Sequence, residues 1–430
     1  MKKVNNNLRW VASMLLVCIG LCVSSCSDDD DVSHSKVALA LESPTAISDF
    51  HYTNMQVTFT DKSTQEVTQM AYDAASSIST SLVDGIYDIM VEGEGDATVA
   101  GQTKHVKVRG ELQSVEIADV TDIKTLNIPL HLLDINSGFV LAEIFISGTE
   151  TPEGEWYRGD SYFRIYNNSS EPLDAQGLIL MESALQSDMH KDFYVLSEEK
   201  ESEEIVAGEG TPYDQYKNDH FITDAVYMIP RGTAVIVEPG QSILLVDIGK
   251  DHSVDNPNSF NLTTADYEWY DENDVHADIQ TEVPDLVKLY ASSASVWSPH
   301  VRAIKTYAIA QMPEDVTTES FITNNTVQYY YEFVYGDLRR IMDSKKYFVP
   351  TTWIKDCVNL SNETAYEWNI VSTALDNSYA WVYDGTGTGY RGKAVRRKVI
   401  SGALLQDTND SAHDFENSVD ANPFYVFHAE

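Results

Sequence analysis

Basic side chains are scarce in this chain of 430 residues: 29 lysines and arginines stand against 67 aspartates and glutamates, a formal charge of -38. Binding to DNA or RNA draws on the neutralisation of phosphates by Lys and Arg, so nucleic acid is not expected as a partner. Cysteine is scarcer still, present only as Cys18, Cys22, Cys26 and Cys357. There is no His-Glu-x-x-His helix, EF-hand loop or Gly-x-Ser-x-Gly elbow, and the eleven histidines are scattered singly. No designed transition-metal site is therefore visible, and no cofactor is expected. The apolar run from Trp10 to Val23 falls short of the roughly 20 residues a membrane-spanning helix needs. What is present is a globular composition, 43% hydrophobic, which is too rich for a disordered chain. At roughly 150 residues per domain, the length suggests two or three domains.

Lys2, Lys3 and Arg9 precede that apolar run, the layout of a signal peptide over residues 1–25. Its end, Val23-Ser24-Ser25-Cys26, resembles the lipobox of bacterial lipoproteins, which implies a lipid on Cys26. The following Ser27, Asp28, Asp29, Asp30 and Asp31 resemble the export signal that carries lipoproteins of Bacteroidota to the cell surface. The bland alternative, compatible with the first, is an extended acidic tether, residues 26–35, because blocks of like charge repel. Cleavage before Cys26 would leave Cys357 as the only unmodified thiol, so no internal disulfide is expected. Beside Val358, it reads as a buried, inert core residue.

Alternation of period two marks half-buried strands at Lys36–Leu41, Met55–Thr60, His105–Val108 and Leu126–Leu130. Gly85-Ile86-Tyr87 resembles the strand start of carboxypeptidase-regulatory-like sandwiches. Further on come Leu141–Ile146, Tyr162–Ser169, Leu173–Leu180, Ile229–Thr233, Val237–Gly240, Ile243–Val246, Asp285–Tyr290 and Gly392–Lys398. In that order they resemble the lamin-tail domain, with Arg164 where that family usually has a glutamate. An arginine strand followed by a polar Asp/Asn segment closes such domains, here Arg396, Arg397 and Asp407–Asp414. The expected fold is all-β, two Ig-like β-sandwiches over residues 36–135 and 136–430. The second is enlarged by insertions near 184–224, 250–283 and 304–376, with one or two short helices. A helix is expected around Leu338, Ile341 and Met342, whose spacing is near helical. The whole arrangement resembles a family of Bacteroidota surface lipoproteins of unknown function.

Two motifs suggest chemistry without completing it. Gly387–Lys393 has the spacing of a phosphate-binding loop, but Ala394 stands where a hydroxyl would hold magnesium. Gly159-Asp160-Ser161 resembles the start of GDS-type esterases but directly precedes a strand. The strongest ligand candidate is the segment Asp266–Asp278, where Tyr267, Trp269, Tyr270, Asp271, Asp274 and His276 combine aromatic faces for a ring with oxygens for a cation. The bland alternative is a solvated acidic loop. A second cluster, Tyr329, Tyr331, Phe333 and Tyr335, alternates onto one strand face and is either core or interface.

Two sandwiches account for nearly the whole chain, leaving no room for a separate catalytic domain. The expectation is a noncatalytic surface lipoprotein, anchored in the outer membrane by its lipid, that binds a ligand or partner. An accessory role to a TonB-dependent uptake system fits that reading. The alternatives are a surface hydrolase of glycan or peptide, and a structural or adhesive envelope component.

Overall fold

The computed structural model describes residues 33–43, 47–72, 79–99, 102–118, 123–133, 138–270, 279–292 and 296–428. The lipid-anchor and export residues Cys26, Ser27 and Asp28 to Asp31 lie outside them, as do Asp271, Asp274 and His276. The fold is all-β with a few short helices.

In the first domain, the strand His34–Glu42 pairs antiparallel with Ser79–Val83 and parallel with Ile123–Pro129. Facing this small sheet is an antiparallel one in the order Val67–Ala71, Ile47–Asp61, Gly85–Val99, Gln102–Ile117, His131–Leu133. Alternate residues Val37 and Leu39, Met55, Val57 and Phe59, and Tyr87, Ile89 and Val91 bury one face of each strand in a shared core. The long strands bend where the register of Ile47–Asp61 slips near Tyr52. Gly95 lies against that slip, where a Cβ would meet His51 O at 2.2 Å, so only glycine lets the backbones approach.

The second domain stacks two larger sheets. One runs Tyr267–Glu268, Ser242–Val246, Tyr162–Asn167, Phe139–Phe145, Lys393–Arg397, Phe415–Asp420. The other runs Thr211–Pro212, Tyr194–Val195, Thr326–Tyr335, Leu338–Pro350, His220–Met228, Leu178–Ser183, Thr306–Gln311, Ile354–Asn359, and Val287–Ala291 also pairs with His220–Met228. Between them lie Leu141, Ile144, Phe163, Ile165, Leu178, Tyr227, Tyr307 and Trp269. Strands Phe139–Phe145, Tyr162–Asn167 and Leu178–Ser183 are buried at every residue. Both faces are covered because a second apolar layer packs outside, such as Phe321, from the helix Thr318–Asn324, in one cluster with Met181 and Ala308.

Within residues 304–376, Thr306–Gln311 and Ile354–Asn359 are neighbouring strands of the larger sheet. One expectation changes: Leu338, Ile341 and Met342 are not helical but lie on a β-hairpin in which Tyr335 pairs with Leu338 across Gly336-Asp337. Gly336 at φ 57° supplies the positive φ of a two-residue hairpin turn, and the flanking aromatic run favours strand. The short helix is Thr318–Asn324, opened by a capping box between Thr317 and Ser320.

The closing segment is tied in by charge. Arg396 meets Glu143 at 2.8 Å, and Arg397 meets Asp356, Asp407 and Asp414, all buried. Cys357, next to Asp356, is free and buried in the outer apolar layer.

Candidate functional site

The residues singled out in Asp266–Asp278 divide. Tyr267 and Glu268 form a short strand parallel to Leu245 and Val246. Trp269 is fully buried, its ring 5.7 Å from Phe163 and 5.1 Å from Trp297. It is a core residue and offers no face to a ligand, because the acidic segment begins as a strand that closes the sandwich. Tyr267 and Tyr270 are half-buried, the former packed against the same core. The carboxylates nearby are engaged with backbone: Asp266 accepts from Leu244 N at 2.8 Å, and Glu268 from Gly249 N at 2.6 Å. Burial nevertheless raises Glu268 above the usual carboxylate range.

Gly387–Gly392 is a run of turns leading into a strand rather than a helix, and Lys393 pairs with Asp420 at 2.6 Å. The buried Asp160 accepts from the Thr149 and Ser259 hydroxyls, which fixes a loop before Tyr162. Neither setting is that of its motif. Among the described residues no group of three His, Cys, Asp or Glu could hold a metal ion.

The aromatic run 329–335 has a dual character. Rung by rung, Tyr331 faces Met342, Phe333 faces Arg340 and Tyr335 faces Leu338, all on one side of the hairpin. Toward the base, Tyr329 is buried and Tyr331 half-buried against Phe193, at 5.8 and 5.4 Å between rings. Toward the tip the cover ends. Tyr194–Val195 pairs with Tyr330 and Tyr329 alone, and His220–Thr223 reaches Tyr347–Pro350 alone. Tyr335 is thus 77% exposed and Leu338 56%, with Phe333 and Met342 exposed beside them. Arg340 is exposed in the middle of this face, with no ion pair among the described residues, whereas Arg339 on the opposite face meets Glu332 at 2.9 Å.

At the hairpin's base lies a recess of about 490 Å³ whose lining includes His190, Lys191, Asp192, Tyr194, Tyr330 and Glu332. Tyr194 stacks on Tyr330, whose hydroxyl donates to Glu209 O at 2.8 Å. His190 stacks on Trp368 at 4.9 Å and also borders a second recess, of about 350 Å³, between the two domains. Polar contacts hold the domains together there. Arg109 of the first donates to Thr373 O at 2.8 Å and Asn409 O at 3.0 Å of the second. Lys217 of the second is buried, pairs with Asp214 at 2.9 Å, and donates to Asn369 O at 3.0 Å and to Gln113 of the first domain at 3.3 Å. The hairpin's alternation was readable in sequence; the cleft was not, because its residues come from segments far apart in the chain.

No curated protein matches the sequence. A crystal structure of a DUF4876 family protein from Bacteroides thetaiotaomicron superposes with a TM-score of 0.53, at 19% identity, covering 90% of this chain and 96% of that one. That likeness is one of fold. A candidate adhesin from Bacteroides ovatus aligns at 8% identity over 77% of this chain and 88% of its own, but with a TM-score of 0.20. Residues 238–422, the stretch that contains the hairpin, match the model of a family described as a protein of unknown function, DUF4876.

Proposed function

We propose that the protein is a noncatalytic binding module of the cell surface, held in the outer membrane by a lipid on Cys26, and that the distal face of the 326–350 hairpin is its partner contact. The partner class is an outer-membrane protein, a TonB-dependent uptake barrel in the first instance, with the second sandwich an enlarged lamin-tail-like domain. The observation that carries this is the bare face of Phe333, Tyr335, Leu338 and Met342 around Arg340. Tyr, Phe, Met and Arg are the residue types enriched in interface cores, and rigid aromatic anchors carry most of an interface's energy. Asp337 at the turn argues against insertion of the tip into lipid. Binding is favoured over hydrolysis because the carboxylates with strongly raised proton affinity, Asp376 and Asp407, are buried in the second domain rather than set in either recess.

The test is cross-linked affinity purification of the lipidated protein from native outer membranes, beside its Tyr335→Ser/Leu338→Ser variant. Recovery of a barrel protein with the wild type and its loss with the variant is the expected result. Recovery of the chain alone, or of the barrel equally with both, sinks the proposal.

A further inference from the structure

We infer that the cleft between the two sandwiches binds an organic cation, an ammonium or guanidinium group carried on an extended chain. The cleft encloses about 350 Å³, toward the small end of the range for small-molecule pockets. Its charged lining is Lys62, Asp88, Glu111, Asp214 and Glu367, with the Lys217 ammonium beside it. Lys62 faces Asp88 at 3.8 Å and Lys217 meets Asp214, so those four charges pair off. Glu111 and Glu367, one from each domain, meet no Lys or Arg among the described residues. Glu111 accepts from Thr373 N and the Gln113 amide, both at 3.5 Å, and Glu367 from His190 N at 2.8 Å. These two carboxylates, Glu111 half-buried and Glu367 exposed, thus border the cleft without a basic partner among the described residues.

A second observation points the same way. Thr373 lines the cleft at 5% exposure, and its hydroxyl oxygen is buried without any hydrogen-bond partner. Leaving such a group unmet costs stability, and a donor arriving in the cleft satisfies it. Tyr366, stacked by one face on Tyr379 at 4.2 Å, lines the same space, and aromatic faces attract cations. The chain already contains the arrangement in miniature: the Lys217 ammonium lies 5.8 Å from the Trp368 ring with a carboxylate and a carbonyl as partners. An anion meets these two carboxylates as repulsion, and a neutral sugar leaves them without a basic partner. Free amines and the basic side chains of peptides share the chemistry that fits.

Isothermal titration of the full chain with spermidine, and separately with an arginine blocked at both ends, tests this. The expected result is saturable binding of at least one of them, weakened at least about tenfold by Glu111→Gln/Glu367→Gln, the scale of a lost charge-assisted hydrogen bond. The charge-matched Glu203→Gln/Glu204→Gln, on an exposed turn, leaves it unchanged. The tighter of the two probes identifies the source as a free amine or a basic side chain. Equal weakening in both double variants means diffuse attraction to an acidic surface and overturns the proposal. So does no binding, or binding of a neutral disaccharide instead. Glu367→Gln alone, at an exposed position, gives the same reading if the double variant fails to fold.

Discussion

Arg397 and Asp356 meet at 2.6 Å where side-chain exposure is 1% and 3%, and they belong to different sheets of the second sandwich. The same Asp356 oxygen accepts from Leu141 N at 2.6 Å, and Arg397 also donates to Leu141 O at 3.0 Å. The pair therefore fastens strand Ile354–Asn359 to strand Phe139–Phe145 across the core, while Asp407 and Asp414 hold the closing segment to the same guanidinium.

Removing Asp356 leaves Leu141 N and one edge of the Arg397 guanidinium buried without their acceptor, while Asp407 and Asp414 still balance the charge, which costs about 1–3 kcal/mol. Asp356→Ala is expected to lower the stability of the second domain by that amount in denaturant unfolding. A loss below about 1 kcal/mol would mean that the pair contributes little beyond packing.

Asp376 is fully buried, and desolvation lifts its pKa to about 7 despite hydrogen bonds from Ser411 and Asn359 N. Its folded value lies above the ordinary aspartate value of about 3.9, so the folded state holds the proton more tightly than the unfolded chain. The stability this contributes is full below about pH 4 and is lost as the pH rises through about 7. Comparing unfolding free energies across that window, Asp376→Asn is expected to flatten the decline; a variant with the wild-type slope rules Asp376 out as its source.

Burial pushes the Cys357 thiol well above its ordinary pKa, and no disulfide engages it. A thiol reagent is expected to leave it untouched in the folded protein and to modify it in denaturant. Rapid labelling under native conditions would show that the outer apolar layer opens readily.

Cys26→Ala is expected to release the protein from the membrane fraction, and continued association defeats the lipid anchor. Replacing Asp28 to Asp31 with asparagine is expected to keep the lipid but lose surface display, read by protease shaving of intact cells. Unchanged shaving refutes the export role.

Legibility in the sequence followed the range of the interactions involved. Period-two runs such as Met55-Gln56-Val57-Thr58-Phe59 reported their burial directly, because a strand's two faces are written in alternate residues. The hairpin misled where Leu338, Ile341 and Met342 mimic helical spacing; the two-residue turn at Gly336-Asp337 was the signal that decides. Trp269 looked like a ligand platform because its neighbours are acidic, yet a two-residue strand is enough to carry it into the core. The cleft residues Lys62, Glu111, Asp214 and Glu367 carry no local pattern, since only the docking of the domains brings them together.

The register of the 326–350 hairpin also constrains how its length can vary among descendants of this gene. Adding one rung, one residue to each strand at about 3.4 Å per residue, would turn Phe333, Tyr335, Leu338 and Met342 to the opposite side while Tyr329 stayed against Phe193. A second rung restores them. Insertions and deletions between base and tip should therefore survive in steps of four residues, and an intermediate step would present a different surface.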